Sequence, residues 1–156
     1  MTAVTLHQVC GGRYVLGLGA STKALVEGFH DTAFEHPAAK LRDVVTKVRA
    51  LLAGQLGNAP AARPLRLGQP SAPEVPIWGA ALGHHTIRVA AELGDGWIPA
   101  LVARDRLPGW AAHLRQLREA AAPHARPLTV AAGPFTAVDE NADAARGIAS
   151  AAPPGT

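Results

Sequence analysis

The chain has 156 residues, 48% of them apolar, which is enough for one domain with a hydrophobic core. The formal charge of +3 comes from scattered arginines, and aromatic residues make up only 4%, so we expect no nucleic-acid partner. No apolar run approaches the roughly 20 residues of a membrane span, and the N-terminus lacks a secretion signal. We therefore expect a cytoplasmic protein without a membrane partner.

The first half of the chain shows one strand and one long helix. Ala3–Val9 reads as the end of a helix, and Arg13–Gly19 reads as a strand because it is a short apolar run with glycines at both ends. From Pro37 onward, apolar residues recur three or four positions apart, which predicts an amphipathic helix. Pro37 suits the first turn of that helix, and Gly54 suits the position after its end.

The second half alternates strands and helices after a surface excursion over residues 55–74, which is rich in proline and glycine. Each strand is a short apolar run, and each helix has apolar residues at helical spacing. The predicted elements are a strand at Val75–Trp78, a loop at Gly79–Gly83, a helix at His84–Leu93, a strand at Gly96–Leu101, a helix through Leu107, Trp110, Leu114 and Leu117, a strand at Leu128–Ala132, and a last helix capped by Asp139.

Four strands that are each followed by a helix predict a parallel α/β sheet. Periodicity does not separate half of a β/α barrel from a small open doubly wound sheet.

Several segments resemble the luciferase-like monooxygenases, especially their deazaflavin-dependent branch. They are Gly12–Ser21, Val26–His30, Val75–Ala80 and Ala90–Trp97, in the order and at the separations of that family. The resemblance implies a partial (half) TIM-type β/α barrel, with about four parallel strands and four helices that correspond to strands four to seven of the family. Residues 1–156 would form this single partial domain.

A half barrel has two unpaired sheet edges and an apolar concave face. Exposure of several hundred Å² of apolar surface costs on the order of 10 kcal/mol. We therefore expect a homodimer, or pairing with a separately encoded N-terminal half.

The turn after the first strand is a candidate cofactor site. Gly19, Ala20, Ser21 and Thr22 offer backbone amides and two hydroxyls beside a helix start, at the strand end where β/α barrels bind ligands. The same residues also suit an ordinary glycine turn with a hydroxyl cap.

A second candidate is the turn after the second strand, formed by Ala81, Leu82, Gly83 and His84. Small residues that open a helix favour an anion, and the resemblance implies that this loop holds the phosphate of coenzyme F420 (a deazaflavin) or FMN, or that neither is bound. We expect no metal site, because the adjacent His84 and His85 diverge by about 100° on a helix.

Glu27 and His30 are three residues apart and are candidates for a proton donor and its orienting partner. The alternative interpretation is a pair of solvated surface residues. Trp97, Trp110 and Asp95 are expected to be structural, the two tryptophans in the core and the aspartate at the Gly94–Gly96 turn.

The sequence thus supports two functional hypotheses. The first is a flavin- or deazaflavin-dependent oxidoreductase of the monooxygenase type, as a fragment or a split subunit, acting on a small organic substrate. The second is a non-catalytic half barrel that binds a partner or serves as a scaffold after losing its cofactor.

Overall fold

The structure, a computed structural model, describes residues 1–55, 66–99, 102–133 and 136–151. Within these ranges the chain forms four strands and six helices: the four predicted barrel helices, the predicted helix end at the N-terminus, and one short helix, Lys23–Gly28, for which no bounds were predicted. The elements are α1 (Thr2–Val9), β1 (Leu16–Gly19), α2 (Lys23–Gly28), α3 (Pro37–Leu52), β2 (Ile77–Ala80), α4 (His84–Leu93), β3 (Gly96–Ile98), α5 (Leu107–Ala121), β4 (Thr129–Val130) and α6 (Ala142–Ala151).

The four strands form one parallel sheet in the order β1-β2-β3-β4. Neighbours in the sheet are therefore neighbours in sequence, and the strand order does not reverse within the sheet. A doubly wound sheet reverses its strand order at a switch point, whereas a β/α barrel does not. The predicted parallel α/β class is confirmed, and the strand order fits a segment of a barrel.

The helices α3 and α4 have the predicted bounds. Pro37 lies in the first turn of α3, and Gly54 just after its end has φ = 76°, a left-handed conformation that glycine adopts at little cost. Helix α4 runs from His84 to Leu93, between Gly83 and Gly94, as predicted.

The bounds of the strands were predicted less well. The second strand is Ile77–Ala80 and not Val75–Trp78, because Val75 is fully buried in the core without being paired in the sheet. Gly79 thus belongs to the strand and not to the loop. Part of the predicted excursion, residues 56–65, and the predicted end of the third strand, residues 100 and 101, lie outside the described residues.

The last helix has a different cap from the predicted one. The side chain of Asn141 accepts hydrogen bonds from the amides of Asp143 (2.9 Å) and Ala144 (3.3 Å), so Asn141 caps α6. Asp139 lies two residues earlier and accepts a hydrogen bond from the amide of Asn141 at 2.8 Å. The prediction that Asp139 caps the helix was wrong by two residues.

One face of the sheet packs against the helices through two clusters of buried residues. Ile77 of β2 lies in a cluster with residues of α1, α3 and α4, and Trp97 of β3 lies in a cluster with residues of α4 and α5. Trp97 is fully buried, and Trp110 packs against its cluster, which confirms the predicted core role of both tryptophans. The first cluster is Val4, Leu41, Val45, Leu52, Ala72, Val75, Ile77 and Val89, and the second is Ala81, Ile87, Ala90, Ala91, Trp97 and Leu114.

Helix α4 lies very close to β2 at Gly79. A Cβ atom on Gly79 would lie 2.5 Å from the Cβ of Ala90, closer than two carbon atoms can approach. The absence of a side chain at Gly79 therefore sets the distance between this helix and the sheet.

We call the opposite side of the sheet the open face. Side chains alternate between the two faces of a strand, and residues paired in register share a face. The open face is therefore Gly17 and Gly19 of β1, Trp78 and Ala80 of β2, Gly96 and Ile98 of β3, and Thr129 of β4. This face is uncharged, but its residues are smaller than the predicted apolar surface implied, and only Trp78 and Ile98 are large.

Side chains connect the N-terminal ends of the strands to the C-terminal end of α4. Asp95 accepts hydrogen bonds from the amide of Ile77 (2.8 Å) and from the guanidinium of Arg49 (2.6 Å). Arg49 also donates to the carbonyl of Leu93 at 2.8 Å. The structural role predicted for Asp95 is confirmed, and it extends beyond its own turn to a strand and a second helix.

Arg118 adds a second cation at the end of α4. Its guanidinium donates to the carbonyls of Ala91 (3.0 Å), Glu92 (3.3 Å) and Gly94 (3.0 Å). Burial lowers the pKa of Arg118 from its ordinary value, Asp95 opposes that shift, and Arg49 adds to it. A cation at this position also interacts favourably with the helix dipole.

Candidate functional site

A cavity of about 380 Å³ lies at the C-terminal ends of β1, β2 and β3. Parallel β/α proteins bind ligands at these strand ends, and the volume lies within the range of about 300–1,000 Å³ that is usual for ligand pockets. Twelve residues line it: Gly19, Ala20, Ser21, Thr22, Phe34, Pro37, Ala80, Ala81, Leu82, Gly83, Thr86 and Ile98. The structure thus brings seven of the eight predicted cofactor-binding residues to one cavity, and their binding role stays a prediction.

The turn after β1 lines the cavity and contains a residue in the left-handed conformation. Ser21 has φ = 62°, a conformation that a residue with a side chain adopts at a cost. Thr22 then caps α2, since its hydroxyl accepts from the amide of Leu25 at 3.4 Å. The predicted hydroxyl cap is therefore present, and the hydroxyl of Ser21 is exposed beside it.

Gly19 ends β1 at a point of close approach. A Cβ atom here would lie 3.0 Å from the carbonyl oxygen of Ala80 and 3.1 Å from its Cβ. The two small residues keep the C-terminal ends of β1 and β2 free of bulky side chains where they line the cavity.

The turn after β2 ends at the N-terminus of α4. Gly83 is the N-cap in an extended conformation, and the amide of Ile87 donates to its carbonyl at 2.9 Å. The amides of His84, His85 and Thr86 precede this first helical bond, so they are available to an acceptor outside the helix. The site therefore offers several N–H donors and the positive end of a helix dipole, a combination that suits an anion.

Two hydrogen bonds hold this turn. The indole of the fully buried Trp97 donates to the carbonyl of Ala81 at 2.8 Å, and the hydroxyl of Thr86 donates to the carbonyl of Gly83 at 2.9 Å. Leu82 between them is 46% exposed. The turn is thus fixed to the core at one end and closed by a side chain at the other.

The side chain of His84 packs against α5. Its ring centroid lies 5.9 Å from that of Trp110, which in turn lies 6.2 Å from the ring of His113. His84 is also the one predicted cofactor-binding residue that does not line the cavity. Its backbone amide is therefore the group that it can offer to an anion there.

Glu27 and His30 are both exposed, and within the described residues no hydrogen bond joins them. Glu27 accepts from the amide of Phe34 at 3.2 Å and lies 3.7 Å from Lys23, while the His30 ring contacts the edge of Phe29 at a centroid distance of 5.0 Å. Their predicted role in proton transfer stays a prediction, and the structure shows a structural role for Glu27.

Five of the cavity residues were not among the predicted cofactor-binding residues: Phe34, Pro37, Ala80, Thr86 and Ile98. Thr86 carries a detectable signal, because a hydroxyl three residues after an N-cap glycine lies in the first helical turn. Ala80 and Ile98 follow from strand alternation once the bounds of the strands are known. Phe34 and Pro37 reach the cavity through the fold of the 29–36 segment, for which local sequence has no signal.

Among the described residues, no group of three or more His, Cys, Asp or Glu side chains is arranged to hold a metal ion. The helices in that part of the chain are also too short or too polar to cross a membrane.

Comparison with known proteins gives a consistent result. The family model for luciferase-like monooxygenases matches residues 1–153. The chain is 32% identical over 118 residues to a protein of Mycobacterium tuberculosis provisionally named a coenzyme F420-dependent oxidoreductase, covering 64% of this chain and 33% of the relative. It is 35% identical over 97 residues to 5,10-methylenetetrahydromethanopterin reductase of Archaeoglobus fulgidus, covering 59% of this chain and 28% of the relative.

Two solved structures share the fold. One is the coenzyme F420-dependent tetrahydromethanopterin reductase of Methanopyrus kandleri, with a TM-score of 0.69 and 19% identity over 92% of this chain and 48% of that one. The other is an F420-dependent secondary alcohol dehydrogenase in complex with an F420–acetone adduct, with a TM-score of 0.65 and 20% identity over 92% of this chain and 46% of that one. The chain thus spans about a third of the length of these two curated relatives and about half of these two solved structures.

Proposed function

The chain belongs to the luciferase-like monooxygenase family, and from this membership we propose that it is the F420-binding part of an oxidoreductase that acts on a small organic substrate. One observation carries the proposal: a single cavity at the strand ends joins the turn after β1 to the N-terminus of α4. The names of both solved structures, and of the relative from Mycobacterium tuberculosis, include F420, and this supports F420 over FMN.

The groups around the cavity fit the polar part of such a cofactor. The amides of His84, His85 and Thr86 lie at the positive end of the α4 dipole, where a phosphate is stabilised. Ser21 and Thr22, on the turn after β1, line the same cavity and carry hydroxyls. We propose that α4 holds the phosphate and that the β1 turn contacts the adjoining polar chain.

The apolar part of the lining serves a different purpose. Phe34, Ile98 and Leu82 give the cavity a mainly apolar wall, which excludes water from a ring system. When bound, a deazaflavin supplies hydride chemistry, and the protein's contribution is to bind, orient and keep the site dry.

The test is a binding titration of the full chain with coenzyme F420 and, separately, with FMN, followed by fluorescence and by the melting temperature. We expect F420 to bind and to raise the melting temperature. If FMN binds and F420 does not, the cofactor is FMN and the proposal of F420 is wrong. If neither binds, the result favours the alternative hypothesis of a non-catalytic half barrel.

Thr86→Val tests the site itself. Valine keeps the shape but removes the hydrogen bond to the carbonyl of Gly83, so we expect the Kd for F420 to rise about fivefold, equivalent to about 1 kcal/mol. Thr46→Val, an exposed threonine in α3, is the matched control and should leave the Kd unchanged. Equal Kd values for the two variants would show that the hydrogen bond between the Thr86 hydroxyl and the Gly83 carbonyl does not contribute to cofactor binding.

A further inference from the structure

The segment between α2 and α3 reaches the cavity at the strand ends through one side chain. Phe34 is half-buried, whereas every other residue from 29 to 36 is exposed. Phe34 is also the largest residue that lines the cavity, and the only one that this segment contributes. The position of its ring therefore determines the shape of the apolar wall.

Phe34 also lines a second cavity of about 210 Å³, on the side of α3. Gly19, Ala20 and Pro37 line both cavities as well, so the two spaces adjoin. Glycine and alanine have little or no side chain to separate them, and Pro37 lies in the first turn of α3. The ring of Phe34 is therefore the group whose position sets the boundary between the two spaces.

The backbone of this segment is strained at two positions around Phe34. Asp31 has φ = 48° and His36 has φ = 46°, and a residue with a Cβ atom adopts the left-handed conformation only at a cost. Such a conformation persists where neighbouring contacts hold it. One contact comes from α3, where Lys40 donates to the carbonyl of Ala33 at 3.1 Å. The other comes from α2 and acts at Phe34 itself.

Glu27, in the last turn of α2, provides the contact at Phe34. Its Oε1 accepts a hydrogen bond from the amide of Phe34 at 3.2 Å, so the carboxylate holds the backbone from which the ring extends. Lys23 lies 3.7 Å from Oε2 of the same carboxylate, one helical turn earlier. A hydrogen bond to a charged acceptor is stronger than one between neutral groups.

We propose that Glu27 is a positioning residue for the strand-end cavity and that it acts through Phe34. By holding the amide of Phe34, it keeps the ring in the wall of the space proposed for the cofactor. This role needs the carboxylate as a hydrogen-bond acceptor and not as a proton donor. The inference rests on the proposed function for the identity of the ligand, but the placement of the ring is measured without any ligand.

Titration of the full chain with coenzyme F420 tests this role through two substitutions at one position. Glu27→Ala removes the acceptor, and we expect it to raise the Kd about fivefold. Glu27→Gln keeps an oxygen that can accept from the same amide but cannot donate a proton as an acid, so its Kd should lie within about twofold of the native value. Both variants lose the pair with Lys23, so the difference between them isolates the bond to Phe34. Glu119→Ala, at an exposed glutamate of α5, is the matched control and should leave the Kd unchanged.

The same substitutions in a Phe34→Ala background show whether Glu27 acts through the ring. If it does, Glu27→Ala should have no further effect on the Kd once the ring is absent. An effect of Glu27→Ala that persists without the ring would overturn the proposal. So would an equal rise in Kd for Glu27→Gln and Glu27→Ala.

Fluorine NMR measures the placement of the ring without a cofactor. The chain has three phenylalanines, so labelling with 4-fluorophenylalanine gives three signals, and Phe34→Leu identifies the one from Phe34. In Glu27→Ala we expect that signal to move towards its position in urea, and in Glu27→Gln we expect it to stay at its native position. Circular dichroism checks that each variant keeps its secondary structure.

The two measurements separate this inference from the proposed function. A Phe34 signal that does not respond to Glu27→Ala would overturn the positioning role, even if F420 binds. A signal that responds in a chain that binds no F420 would support the positioning role and reject the proposed cofactor.

Discussion

The two ends of the sheet are built from different kinds of contact. At the N-terminal strand ends, charged side chains join strand, helix and turn: Asp95 binds the amide of Ile77 and the guanidinium of Arg49, and Arg118 binds the end of α4. At the C-terminal ends, the cavity is formed by small residues, backbone amides and a left-handed serine. One end therefore provides stability, and the other keeps groups free for a ligand, as in β/α barrels generally.

Two glycine substitutions give the largest expected contrast between these ends. A Cβ on Gly94 would lie 2.6 Å from the carbonyl oxygen of Ala90, and this backbone atom cannot move without disturbing α4. We expect Gly94→Ala to lower the free energy of unfolding by about 3 kcal/mol. At the cavity end, a Cβ on Gly83 would meet the Thr86 hydroxyl at an ordinary 3.6 Å, so Gly83→Ala should cost about 0.5 kcal/mol or less. Urea unfolding followed by circular dichroism measures the free energy of unfolding of both variants. Equal losses in the two variants would show that the two ends of the sheet do not differ in this way.

Asp95→Ala tests the charged contacts directly. It leaves the amide of Ile77 without its acceptor and Arg49 without its carboxylate, and both groups are partly buried. We expect a loss of about 2 kcal/mol in urea unfolding. Asp43→Ala removes an exposed pair with Lys47 on α3 and should cost about 0.5 kcal/mol or less. If Asp95→Ala lowered the free energy of unfolding as little as Asp43→Ala, the contacts of Asp95 would not stabilise the N-terminal ends of the strands.

The smallest effect concerns the left-handed residue in the turn after β1. Ser21→Gly removes about 1 kcal/mol of left-handed strain and adds about 0.5 kcal/mol of unfolded-state entropy, so it should stabilise the chain by about 0.5 kcal/mol. Ser71→Gly, at a residue outside the left-handed region, should instead destabilise slightly. A loss of stability in Ser21→Gly would indicate that the serine side chain makes a stabilising contact.

The sequence predicted elements well where a local residue sets a boundary. Pro37 and Gly54 bound α3, and Gly83 and Gly94 bound α4, because proline and glycine restrict or free the backbone at their own positions. The prediction failed where tertiary packing determines which residues join the sheet. Val75 is buried without being paired, so an apolar run indicates burial but not which residues join the sheet.

The candidate site was predicted in part for the same reason. The turns after β1 and β2 follow glycine-marked strand ends, so their residues could be identified, and the family resemblance gave one of them a role. The direction of the His84 side chain could not be predicted, because it depends on Trp110, 26 positions away in the chain. Phe34 reaches the cavity through a segment with left-handed residues at Asp31 and His36, which local propensity does not indicate.

The contact between Gly79 and Ala90 has a consequence for how the cavity meets a ligand. Because the methyl group of Ala90 packs directly on the backbone of β2 at Gly79, α4 has little freedom to slide or tilt on the sheet. The amides at its first turn are therefore aligned before any anion arrives, and an anion that binds there would pay little entropy to order them. A larger residue at position 79 would displace those donors together with the helix, so Gly79, which does not line this cavity, controls how well its donors are preorganised.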